Sequence, residues 1–292
     1  MPNEDEEMTA RPIMTAEALH EIAARPDAGK KLLICDCRYD LVDHALGAKQ
    51  YQAAHIPGAR YIDLGTELSG AKTGLNGRHP LPKREAFAHF LAQMGLNQDA
   101  LLVAYDSGGS TYAARLWWMA RWVGHTRVVV LDGGLKAWEA AGYELSAEVP
   151  EARPKGNFVL GPERVRLVDL DNMKSGLGRT DRVVIDARAN DRFHGQNETI
   201  DKLAGHIPGA LNRPCTQNLR EDSKFKDAAS LRNEFEQLLN GFTPEQVVSS
   251  CGSGVTACNN LIAMELAGLT GAALYGGSWS EWSTQPEAPV EI

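Results

Sequence analysis

The feature that most constrains this chain is that its landmarks occur twice. Leu33-Ile34-Cys35-Asp36-Cys37-Arg38 is answered by Val183-Val184-Ile185-Asp186-Ala187-Arg188, and His55-Ile56-Pro57-Gly58-Ala59 by His206-Ile207-Pro208-Gly209-Ala210. The turn at Asp106 is answered by the turn at Cys251, and Asp132-Gly133-Gly134-Leu135-Lys136 by Tyr275-Gly276-Gly277-Ser278-Trp279. Four landmarks in one order, each pair about 150 positions apart, mark a tandem duplication. The chain is therefore expected to fold as two copies of one unit, 11–145 and 161–292. A linker at 146–160, rich in Ala, Pro and charge, would join them, and residues 1–10 are expected to be disordered.

Within each copy, short apolar runs alternate with helical patterns. Lys31–Cys35, Leu101–Tyr105, Val128–Leu131 and Gln246–Val248 read as strands. Thr15–Ala24, Glu85–Met94 and Ala113–Trp122 read as helices. Such alternation predicts an α/β fold in which each copy is a mainly parallel sheet flanked by helices, with sites at the C-terminal ends of the strands. Both the Asp106 and the Cys251 turns fall at such ends.

Composition removes several function classes. No apolar run approaches the ~20 residues of a membrane helix, so no membrane partner is expected. The acidic segment Met1–Met8 resembles neither a secretory signal nor a transit peptide. The net charge of -8 argues against nucleic acid. Five cysteines, an odd count in a long chain, argue against a disulfide framework and for a reducing, cytoplasmic compartment. Cys35-x-Cys37 has no companion Cys/His pair at zinc spacing, so no metal and no cofactor is expected.

The chemistry centres on Cys251. It follows a strand and precedes a helix, with Gly252 and Gly254 letting backbone N–H groups converge on the sulfur, and with Ser253 and Thr256 adding uncharged hydroxyls. That setting favours a nucleophilic thiolate, or a persulfide built on it. Phosphate-ester hydrolysis needs an arginine six positions after the cysteine, where this chain has Ala257. Asp106, the counterpart of Cys251, has no sulfur, so the first copy reads as a non-catalytic scaffold. Cys258 reads as a buried helix-face residue, with a resolving thiol as the alternative.

Asp-Ala-Arg at 186–188, the two His-Ile-Pro-Gly-Ala segments and Cys-Gly-Ser-Gly-Val-Thr-Ala at 251–257 resemble the two-domain rhodanese-type sulfurtransferases, over residues 13–285. The resemblance implies two rhodanese-like domains. Thiosulfate enzymes of this type carry cationic residues after the cysteine; Gly252-Ser253 is more similar to the 3-mercaptopyruvate branch. The resemblance then implies attack of Cys251 on the donor sulfur, release of pyruvate, and transfer of the persulfide sulfur to a thiol acceptor such as thioredoxin, or to cyanide. It also implies a relay of Ser253, His79 and Asp63, with His79 opening His79-Pro80-Leu81-Pro82 and Asp63 following the first His-Ile-Pro-Gly segment. Arg192 matches the main ligand of the donor carboxylate, and Arg188, Gly252, Gly254, Val255 and Thr256 complete the expected substrate contacts. Arg38 repeats Arg188 in the scaffold copy, which favours an ion pair for that residue. The second carboxylate contact of animal relatives has no arginine counterpart in Gln196–Leu203, leaving Lys202 and Arg78 as candidates. His55 and His206 occur in both copies and read as structural. Trp279 and Trp282 read as packing the last helix, with a pocket wall as the alternative, and Trp117 and Trp118 read as core or interdomain residues. Thiosulfate as donor, and a persulfide carrier without turnover, remain the alternatives.

Overall fold

The computed structural model describes residues 11–292. The expectation of disorder for residues 1–10 lies outside the described residues. The chain divides into two compact units. The first takes the described residues to Leu68, Pro82–Arg164 and Glu221–Phe225; the second takes Ser69–Leu81, Val165–Arg220 and Lys226–Ile292.

The first unit holds a five-stranded sheet built from β1 (Ile13–Met14), β2 (Leu32–Asp36), β3 (Arg60–Tyr61), β4 (Leu101–Tyr105) and β5 (Val128–Leu131), in the order β1-β5-β4-β2-β3. The second holds β6 (Arg166–Val168), β7 (Val183–Asp186), β8 (Leu211–Asn212), β9 (Val247–Ser250) and β10 (Ala273–Tyr275), in the order β6-β10-β9-β7-β8. Every pairing in both sheets is parallel. Substituting β6, β7, β8, β9 and β10 for β1, β2, β3, β4 and β5 turns one order into the other, so the duplication extends to topology. Central strands of parallel sheets are covered on both faces and therefore read as continuous apolar runs. Leu101, Val103, Tyr105, Val129 and Leu131 share a core with Leu19 and Trp138 in the first unit. Val184, Val248 and Tyr275 share one with Met173, Trp279 and Trp282 in the second. Trp117 and Trp118, on the helix Ala113–Trp122, are also buried.

Strand β2 begins at Leu32, one residue later than the sequence suggests, because Lys31 closes the short helix Ala28–Lys31. Residues 147–164 form no regular element, yet they are not loose and belong to the first unit. The N–H groups of Gly156, Phe158 and Gly161 donate to the carbonyls of Ala92, Leu96 and Val123 at 2.8, 3.1 and 2.9 Å, and Phe158 is buried. This stretch is strapped to the first unit by backbone bonds that a composition-based reading does not register.

The shared landmarks have physical causes. Arg38 Nη2 donates to Asp36 at 2.6 Å and to the Ala54 carbonyl at 2.6 Å. Arg188 Nη2 donates to Asp186 at 2.7 Å and to the Gly205 carbonyl at 2.8 Å. Each buried pair ties the end of a strand to the chain just before its His-Ile-Pro-Gly turn. The turn itself needs a positive φ, 75° at Gly58 and 76° at Gly209, which glycine adopts without a Cβ clash.

Candidate active site

Cys251 stands at the C-terminal end of β9, 1% exposed, immediately before a turn that leads into the helix Ala257–Leu266. Its N–H donates to Ser278 Oγ at 3.1 Å, and its carbonyl accepts from the Trp279 N–H at 2.9 Å. The next carbonyl, of Gly252, accepts from the Ser280 N–H at 2.8 Å. Two successive residues are thus clamped to the start of the helix Ser278–Trp282. Gly254 is required by two constraints: its φ is +72°, and a Cβ there would lie 2.2 Å from the Gly276 carbonyl oxygen. Val255 is buried beside it. Thr256 sits half-buried at the head of the helix without a side-chain capping bond.

The first unit shows what this backbone does for an anion. The Asp106 carboxylate accepts from the N–H groups of Gly108, Tyr112 and Ala113 at 3.0, 2.8 and 3.2 Å. Burial pushes its carboxyl up, and these N–H groups, together with that of Ser110, pull it back. Asp106 fills the cradle with its own charge, and the second unit has Cys251 in the same place.

The repeat alignment needs one correction. Reading the paired glycines against each other sets Gly276 against Gly133. The hydrogen bonds shift this by one. Leu135 N–H bonds the Asp106 carbonyl and Lys136 N–H the Ser107 carbonyl, as Trp279 and Ser280 do for Cys251 and Gly252. Ser278 therefore replaces Gly134, at φ 55° against 59°. A serine accepts the unusual backbone there because its Oγ bridges the Cys251 N–H and the Tyr275 carbonyl, at 3.1 and 2.8 Å. The glycine pairing in the sequence hid this residue.

His79 and Ser253, 174 positions apart, meet within the second unit. His79 Nδ1 lies 2.9 Å from Ser253 Oγ, and both residues are buried. The neighbouring Arg78 N–H donates to Ser280 Oγ at 2.9 Å, which anchors the His79 segment to the helix that clamps Cys251. Asp63 lies in the first unit. There its Oδ1 accepts from the N–H groups of Gly65 and Thr66 at 2.7 and 3.0 Å, closing the turn after β3.

The arginines fall into two classes. Arg188, 3% exposed, is held by Asp186 and stacks over the Trp279 ring at 4.9 Å, so the structure gives it the ion-pair role that Arg38 plays in the first unit. Arg192 and Arg78 sit further out. Arg192 donates to Glu198 at 2.8 and 2.9 Å and to Asp201 at 3.0 Å. Arg78 Nη1 pairs with the same Asp201. Arg78 Nη2 lies 2.8 Å, and Arg192 Nη1 3.8 Å, from where a Cβ on Gly252 would stand. Lys202, the other candidate for a second carboxylate contact, is exposed. The loop after Cys251 carries no charge, but its surroundings do. Glu198 and Asp201 were invisible to sequence reasoning; the only signal was two acids close behind Arg192 in a segment searched for a missing arginine.

The remaining thiols are in different settings. Burial raises Cys35 to about 12 and Cys37 well above its ordinary value. Burial, then the proximity of Cys251, raises Cys215 to about 12. Cys258 is buried, with Sγ 3.4 Å from the Gly254 carbonyl, in keeping with a helix-face residue. His55 and His206 make matching contacts, each Nδ1 facing a backbone carbonyl, of Tyr51 at 2.7 Å and Phe193 at 2.9 Å. Trp279 and Trp282 are fully buried. Among the described residues no group of three or more His, Cys, Asp or Glu is placed to hold a metal ion, and no helix is long and apolar enough to cross a membrane.

Comparison with known proteins places this geometry. The model of the rhodanese-like domain matches residues 16–141 and 169–285. A probable 3-mercaptopyruvate sulfurtransferase of Pseudomonas aeruginosa is 44% identical over 285 residues, covering 97% of this chain and 99% of that protein. A putative thiosulfate sulfurtransferase of Mycobacterium tuberculosis is 35% identical over 277 residues, covering 92% and 94%. The crystal structure of the Escherichia coli 3-mercaptopyruvate sulfotransferase superposes with a TM-score of 0.79 at 32% identity, covering 92% of this chain and 99% of that one.

Proposed function

The chain belongs to the rhodanese-like family, and we propose that it is a sulfurtransferase that takes sulfur from 3-mercaptopyruvate through a persulfide on Cys251. The observation that carries the reading of the donor is the pairing of His79 with Ser253, together with Arg78 and Arg192 beside Gly252. A proton relay and a pair of forked guanidiniums next to the nucleophile suit a donor with a carboxylate at one end and a carbon leaving group at the other.

In the first half-reaction the Cys251 thiolate attacks the donor sulfur. The S–S bond forms as the C–S bond breaks, and the electron pair passes to pyruvate enolate. Ser253 donates the proton that turns enolate into pyruvate, and His79 restores it. Arg192 and Arg78 hold the donor carboxylate in their planar forks. The turn after Cys251 is one residue shorter than the turn after Asp106, so the N–H groups of Thr256 and Ala257 stand where those of Tyr112 and Ala113 hold the Asp106 carboxylate, and we assign them to cradle the sulfur anion. In the second half-reaction an acceptor thiolate, thioredoxin for example, attacks the outer sulfur and Cys251 leaves as thiolate. Cyanide accepts the same sulfur and leaves as thiocyanate.

The test is steady-state turnover of 3-mercaptopyruvate and of thiosulfate by one preparation, with thioredoxin as acceptor. The reading requires a higher kcat/KM for mercaptopyruvate, one added sulfur on Cys251 by intact mass, and loss of both in Cys251→Ser. Faster thiosulfate turnover transfers the assignment to thiosulfate. A donor that neither releases pyruvate nor loads Cys251 transfers it to a carrier module.

A further inference from the structure

We infer that Asp201 sets the donor preference of this site, by neutralising the arginine pair so that a monoanionic carboxylate is accepted and a compact dianion is disfavoured. The inference rests on the reading of Cys251 as the sulfur-accepting nucleophile.

The geometry is specific. One carboxylate, Asp201, joins two guanidiniums from distant parts of the sequence: Arg78 Nη1 on Oδ1, and Arg192 Nη2 on Oδ2 at 3.0 Å. A second carboxylate, Glu198, takes Arg192 Nε and Nη2 at 3.1 and 2.8 Å and faces Arg188 Nη1 at 3.4 Å. The acids lie deepest, with the side chains of Asp201 and Glu198 4% and 2% exposed, against 24% for Arg78 and 18% for Arg192. A donor arriving from solvent therefore meets guanidinium first and carboxylate behind it. All of this converges on the residue after the nucleophile, because Asp201 Oδ2 and Arg192 Nη1 are each 3.8 Å, and Arg78 Nη2 2.8 Å, from the Cβ position of Gly252.

The charge count gives the consequence. Arg78, Arg188 and Arg192 are balanced by Asp186, Glu198 and Asp201. A neutral cluster still offers forked N–H donors to a carboxylate, since that recognition is geometric. It gives a dianion little net Coulomb attraction. Removing one acid leaves the cluster with one net positive charge, and attraction to that charge doubles from a monoanion to a dianion. Asp201 is a positioning and selectivity residue here. It touches the groups that bind the donor, not the reacting sulfur. With thiosulfate the Cys251 thiolate attacks the outer sulfur, the donor S–S bond breaks, and sulfite leaves with the electron pair, so both donors load the same persulfide and compare directly.

The experiment measures kcat and KM for both donors in wild type, Asp201→Asn and Asp201→Glu, at low and high salt, with thermal midpoints to confirm folding. In Asp201→Asn the thiosulfate-to-mercaptopyruvate ratio of kcat/KM should rise about tenfold, through a lower KM for thiosulfate, and the gain should shrink with salt. Asp201→Glu should return the ratio to near wild type. A folded Asp201→Asn protein with an unchanged ratio overturns the inference. If that variant does not fold, Glu198→Gln removes one charge from the same cluster, and an unmoved ratio there overturns it equally. Absence of mercaptopyruvate turnover in the wild type strikes the proposed donor alone, because sulfite release from thiosulfate still scores the variants.

Discussion

At the scale of single residues the proposed nucleophile is ordinary and its neighbours are not. Cys251 is one of five free thiols. It differs from the rest in standing beside a buried Ser253–His79 pair whose 2.9 Å contact joins segments far apart in sequence. If the pair moves one proton as a unit, neither half works without the other. Ser253→Ala and His79→Gln should each lower kcat for mercaptopyruvate by about 100-fold, and the double variant should be no slower than the worse single one. Thiosulfate, whose sulfite leaving group needs no carbon protonation, should lose far less. Multiplying losses in the double variant would mean that the two residues act separately. The same contrast explains what could be read beforehand. Cys251, Ser253 and their glycines lie within a few positions and announce themselves. Asp201 and Glu198 do not, because an acid a few positions behind an arginine carries meaning only once the fold has brought Arg78 to it.

At the scale of elements the site is a property of turns at strand ends, and its precision comes from backbone contacts. The strands were legible because parallel sheets covered on both faces leave continuous apolar runs. The Asp-x-Arg and His-Ile-Pro-Gly landmarks were legible because each answers one local demand, a buried ion pair or a positive φ. The Ser278 bridge was not, since aligning glycine with glycine is the natural choice, and only the hydrogen bonds reveal that a serine has taken the left-handed position. Gly254 and Gly209 separate conformation from contact. Their φ values, +72° and +76°, are nearly equal, but a Cβ on Gly209 meets nothing within 4 Å, whereas one on Gly254 would press on the Gly276 carbonyl at 2.2 Å. Gly209→Ala should cost about 1 kcal/mol, the price of the left-handed backbone alone. Gly254→Ala should cost about 3 kcal/mol or more, because backbone must move. It should also slow persulfide formation by displacing the turn that carries Ser253. Urea unfolding of both variants makes the comparison, and equal losses would show that the turn yields where the geometry says it is tight.

At the scale of the whole molecule the duplication leaves one unit with a thiol in its cradle and the other with a carboxylate, and the two need not respond alike to pH. The first unit holds His125 between the helix Ala113–Trp122 and β5, 1% exposed, with its ring edge-on to Phe158 at 5.3 Å. Burial pushes its imidazole down to about 4 from an ordinary 6.5. Above pH 6.5 the ring is neutral whether the unit is folded or not, and it adds no slope. Below 6.5 the unfolded chain takes up a proton that the folded unit refuses until about pH 4, so stability falls with pH across that window and levels off beneath it. The full difference is about 3 kcal/mol. Urea unfolding followed by tryptophan fluorescence reports chiefly on the first unit, which holds Trp117, Trp118, Trp122 and Trp138. Between pH 7 and 4.5 the wild type should lose about 2–3 kcal/mol more than His125→Gln, whose side chain cannot titrate. Because the comparison is between pH dependences, any constant cost of removing the ring cancels. Parallel curves for the two proteins would mean that His125 takes up its proton in the folded state as readily as in the unfolded one.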